Sequence, residues 1–163
     1  MATVINHLKD VFGKSLSSAN MNIKENNDMY ENGLYVGRER TIFISEKNVA
    51  ESAADLGMDK LKYGRFIFLH ELGHAIDPEL NVIDKQITKN KRLFNIKGYS
   101  ERYFNEYYTA SMKAEKNAWN IAEKYVIDED KEDFKIVMKT SLELHQESLE
   151  EEKELLIIKG SIR

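Results

Sequence analysis

The residues with chemistry in them are His70-Glu71-Leu72-Gly73-His74. On a helix, positions i and i+4 share a face, so two imidazoles at that spacing can reach one metal ion. Glu71 lies one residue along from His70. Its carboxylate can therefore meet a metal-bound water without being a ligand, the arrangement of the HExxH zinc peptidases. Zinc lowers the pKa of such a water to about 7, and the glutamate takes its proton as the oxygen attacks a carbonyl. The neighbours are apolar: Ile67, Phe68 and Leu69 precede the pair, and Ala75 and Ile76 follow it. That frame predicts a buried helix with both histidines on a cleft, where solvated or core histidines would otherwise be the plainer reading.

A catalytic zinc takes three protein ligands and leaves one position open, whereas a structural zinc is closed by four. The position where a further histidine would complete one common pattern holds Leu80, and His7 and His145 are remote in sequence. His145 sits on an amphipathic face and reads as a packing or surface residue. A glutamate on a second helix is the alternative, and Glu115 is best placed, because Ala118 and Ala122 below it let that helix approach the first. Glu106 and Glu123 are the other choices. The chain is thus expected to bind one zinc through His70, His74 and Glu115, with Glu71 as general base. The rival expectation is a zinc-binding interaction module without catalysis. Asp77, one turn beyond His74, could fix that ring's tautomer or cap the helix end.

These residues need elements to hold them. The 163-residue chain has 42% hydrophobic residues, enough for the core of one domain and too many for a disordered chain. Absence of Cys excludes disulfides, thiolate metal sites and cysteine nucleophiles, and a net charge of −4 argues against general nucleic-acid binding. Its densest apolar run, Phe66–Leu69, is far short of a membrane span. A charge falls early in the chain, so no leader is expected. The cytoplasm is the default location, with a mature secreted form fitting the same composition.

Hydrophobic periodicity predicts an amphipathic helix over 2–12, a loop over 13–32, and short strands over 33–37 and 41–45. Strand 41–45 could be an edge that pairs with extended substrate, or simply core through Ile42 and Ile44. Asn48 or Ser52 would cap a helix that Gly57 stops, and Asp59 would start the histidine helix, which ends at Asp77-Pro78. Residues 79–98 carry Lys85, Lys89, Lys91, Arg92 and Lys97 against Glu79 and Asp84. They read as a solvated mobile loop, with substrate recognition or nucleic-acid contact as alternatives. An aromatic-rich helix runs from Tyr99 through Trp119 to about Val126, and a last helical segment spans 131–158. The expected class is α+β, one domain over 1–163, with a small sheet and three to four helices.

The segment Arg65-Phe66-Ile67-Phe68-Leu69-His70-Glu71-Leu72-Gly73-His74-Ala75-Ile76, with Glu115-x-x-Ala118-x-x-x-Ala122, resembles the ImmA/IrrE family of zinc metallopeptidases. The strands at Gly33-Leu34-Tyr35 and 41–45 fit that family's small sheet, so the resemblance covers about 33–126. It implies a minimal gluzincin-like zincin fold with His70, His74 and Glu115 as ligands and Glu71 as base. It also implies site-specific cleavage of a regulatory protein, often a repressor encoded beside it on a mobile element or phage. The motif as far as Asp77 is equally similar to the lethal-factor-like and Pro-Pro endopeptidase groups. Those place a tyrosine two turns before the glutamate ligand. Here that residue is Tyr108, which the resemblance casts as a donor to the developing oxyanion.

Overall fold

A computed structural model describes residues 3–161. Ala2, the expected start of the first helix, lies outside them. The chain forms six α-helices and a three-stranded sheet among the described residues. It is α+β as expected, with six helices where the expected class had three to four.

Helix α1 covers Val4–Ser18 and starts at Thr3, whose hydroxyl accepts the Asn6 N–H at 3.2 Å. It outruns the predicted end because Leu16 continues the stripe of Val4 and Leu8 into the core. Strand β1, Asn22–Glu25, was not expected inside the 13–32 loop. Only Ile23 of its four residues is buried, so the strand carries almost no alternating signal. Strands β2 (Gly33–Val36) and β3 (Thr41–Ile44) are the predicted pair, antiparallel, with Leu34 opposite Phe43. β1 adds to the other side of β3 in parallel, giving the order β1-β3-β2. β3 is therefore the central strand and cannot offer a free edge to substrate. Its Ile42 and Ile44 are wholly buried.

Helix α2, Glu46–Asp55, is capped by Ser45, which accepts the Asn48 N–H at 3.2 Å. The two residues expected to cap it serve the loop before β2 instead. Asn48 Nδ2 donates to the carbonyls of Met29, Tyr30 and Glu31, and Ser52 Oγ donates to Asn32 Oδ1. Helix α3, Lys60–Ile76, begins and ends as its sequence dictates. Asp59 caps it by accepting the N–H groups of Leu61 and Lys62, and Asp77-Pro78 stops it. Its buried residues fall all round the axis, from Tyr63 to Gly73, because the sheet, α1, α2 and α5 enclose it.

The basic stretch is a helix, not a loop. α4 spans Leu80–Lys97, with Leu80, Ile83, Ile87, Asn90 and Phe94 at helical spacing on the side that packs against α5. That stripe is one residue wide and holds an asparagine, so the surrounding lysines hide it in the sequence. Gly98, at φ 79°, ends the helix in a conformation glycine adopts without strain.

Helix α5 (Glu101–Glu123) crosses α3 and α4, and α6 (Lys131–Ser161) runs back along α5. A short turn at Asp128–Asp130 leads into α6. The buried Asp130 there takes Arg65 at 2.6 Å and Lys62 at 3.1 Å, fastening α6 to α3. Trp119, Phe66 and Phe134 meet edge to face in the main core. No described helix is long and apolar enough to cross a membrane.

Candidate metal centre

The contact between α3 and α5 fixes the site. A Cβ on Gly73 would lie 2.8 Å from the Ala118 carbonyl carbon, so only glycine permits this approach. With Ala118 and Ala122 fully buried, Glu115 stands one turn before Ala118 on the side facing both histidines. Glu115 Oε2 is 3.1 Å from His70 Nε2, and Glu115 Oε1 is 3.3 Å from His74 Nε2. The three donor atoms lie within 4.8 Å of one another, so His70, His74 and Glu115 could hold a metal ion.

His70 Nε2 is the telling atom. It is buried and makes no hydrogen bond, although the Glu115 oxygen is at hydrogen-bond distance. A ring nitrogen and a carboxylate oxygen this close without a well-formed hydrogen bond suit two ligands of one ion. The donor set of two imidazoles and a carboxylate is one that zinc accepts. Trp119 stacks on the His70 ring at 4.2 Å between centroids and 10° between planes, which holds that ring's orientation. Burial works against charge on His70, but Glu115 and Glu71 outweigh it and raise its pKa to about 9 in the metal-free chain. The same two histidines pull the Glu115 carboxyl well below the usual carboxylate range against the opposing effect of its own burial.

Glu71 is not aimed at the triad's ligand atoms. Its Oε2 accepts the Tyr35 N–H at 2.8 Å, and its Oε1 lies 3.4 Å from His70 Nδ1. β2 can come this close because Gly33 has no side chain; a Cβ there would sit 2.9 Å from Glu71 Cγ. The carboxylate is thus buried beside the histidines and fixed by the strand.

A cleft of about 720 Å³ opens over these groups. β2 and the loop before it form one wall, α4 contributes Leu80, Asp84 and Ile87, and α6 closes the far side with Leu144 and His145. His145, read from sequence as a packing or surface residue, lines this cleft. Its Nε2 is 3.0 Å from the hydroxyl of Ser111, which sits one turn before Glu115. Ser111 was not singled out in the sequence. Its spacing of four residues from Glu115 was the available signal.

Tyr108 is not among the residues lining the cleft. It packs against Phe104 in the aromatic cluster between α4, α5 and α6. Glu106 pairs with Arg102 on the surface, and neither it nor Glu123 joins the triad. Asp77 is occupied elsewhere: its oxygens accept the Glu79 N–H at 2.8 Å and Asn117 Nδ2 at 3.1 Å. It ties the corner between α3 and α4 to α5, the capping role rather than the tautomer role. No protein-family model, curated protein or solved structure matches the chain.

Proposed function

We propose that the chain is a zinc-dependent endopeptidase of minimal zincin type, as its resemblance to the ImmA/IrrE family suggests. The observation that carries this reading is the buried His70 Nε2 without a hydrogen bond, converging with His74 and Glu115. Those three residues would hold the zinc. Three protein ligands would leave one position for water or substrate, which favours a catalytic over a structural ion. When bound, zinc acts as a Lewis acid and yields a nucleophile at neutral pH.

The chain's own residues supply the rest. Glu71 is the general base: it accepts the proton released from water, and the Tyr35 N–H holds its carboxylate in place. Trp119 keeps the His70 ring from turning. β2 is an outer strand of the sheet and borders the cleft, so an extended substrate backbone can lie along it. A site that takes polypeptide in this way suits a protein substrate, and a repressor or other regulatory protein is the proposed kind.

Metal analysis tests the reading. Protein purified without a nickel column is expected to carry about one zinc per chain. Less than about a tenth of an equivalent, not recovered by adding zinc, would contradict it.

A further inference from the structure

The basic character of α4 is unexplained by the metal centre. Its inner stripe faces the cleft and α5. The outer face carries Lys85, Lys89 and Arg92 at i, i+4 and i+7, all exposed. None of the three has an ion-pair or hydrogen-bond partner among the described residues, so their charges are free for a ligand. Like charges stacked at helical spacing repel and weaken the helix that bears them. In a chain of net charge −4, this stripe is an island of the opposite sign.

Apolar groups lie along the same face. Ile96 is 64% exposed, and with Leu93 and the three cations it shares one open face of α4. Asp84 lies at one end of this face and also lines the metal cleft, so the face borders the cleft. A chain leaving the cleft on the α4 side would meet the basic stripe.

We infer that the outer face of α4 is a substrate exosite that binds an acidic, partly apolar polypeptide segment flanking the cleavage site. The inference rests on the peptidase reading above and names its substrate class. Charge complementarity selects the acid, and Leu93 and Ile96 select apolar side chains between the acids. Nucleic acid fits less well. No aromatic side chain lies on this face for bases to stack on.

The test is fluorescence anisotropy with a labelled peptide of repeated Glu-Glu-Leu, on the full-length protein and on the variant Lys85→Glu/Lys89→Glu/Arg92→Glu. All three positions are exposed, so the variant is expected to fold. Wild type should bind the peptide, less tightly as salt rises, and the variant at least about ten-fold more weakly. In cleavage assays the reversal should raise KM for substrates with an acidic flank and leave kcat and neutral substrates unchanged. Equal binding by both proteins, no binding by wild type, or full competition by single-stranded DNA would overturn the inference. Zinc content of the same samples reads the peptidase proposal separately, and the reversal should not change it.

Discussion

Gly73 lies directly against the backbone of Ala118, so the histidine helix meets the helix that carries Glu115 with no side chain between them. The geometry of the triad therefore depends on a residue outside it. Gly73→Ala is expected to push α5 outward, since backbone rather than a flexible side chain stands in the way. Overpacking of this kind costs about 1–3 kcal/mol. Urea denaturation should show that loss, and zinc titration should show weaker binding than wild type.

The ligand set makes a selective prediction. His70→Ala, His74→Ala and Glu115→Ala should each lose zinc, whereas Glu106→Ala and Glu123→Ala should keep it. A ligand at a hundred times its Kd stabilises a fold by about 2.7 kcal/mol, so the melting temperature of wild type should rise on adding zinc. The three ligand variants should lose that rise. Loss of zinc from Glu123→Ala with retention in Glu115→Ala would show that α5 presents a different face.

Trp119 is the single tryptophan, and its ring is stacked on His70. Its emission should therefore report the state of that imidazole. In metal-free protein the two neighbouring carboxylates raise the His70 pKa against its burial, which predicts a protonated ring at neutral pH that loses its proton near pH 9. Protonated imidazole quenches indole, so emission should rise as the pH passes upward through that value. Zinc displaces the same proton and should raise emission at neutral pH. A spectrum indifferent to both treatments would separate Trp119 from the site.

The triad that could hold a metal and the helix carrying two of its members were legible because their signals are local: a five-residue motif, an aspartate cap and a proline stop. Glu115 was legible through the small residues beside it. What escaped depends on tertiary context. β1 has one buried side chain, and it is a strand because β3 offers a partner edge. α4 is a helix because α5 covers a stripe too narrow to stand out among lysines. Ser45 caps α2 because Asn48 and Ser52 are drawn to the neighbouring loop. His145 reached the cleft only through the course of α6, which no periodicity specifies. Tyr108 shares helical spacing with Glu115, yet its neighbours draw it into aromatic packing.

The central claim is that Glu71 moves a proton while His70, His74 and Glu115 hold the metal. Glu71→Gln keeps the side chain's size and its acceptor for the Tyr35 N–H, but it cannot take a proton at neutral pH. Zinc content and thermal stability of the variant should match wild type. Both proteins would be incubated with a proteome-derived peptide library, and new termini counted by mass spectrometry. The account predicts a discrete set of termini from wild type and a rate roughly 10²–10⁴-fold lower from the variant. Equal cleavage by the two zinc-loaded proteins, or cleavage by neither, would contradict it.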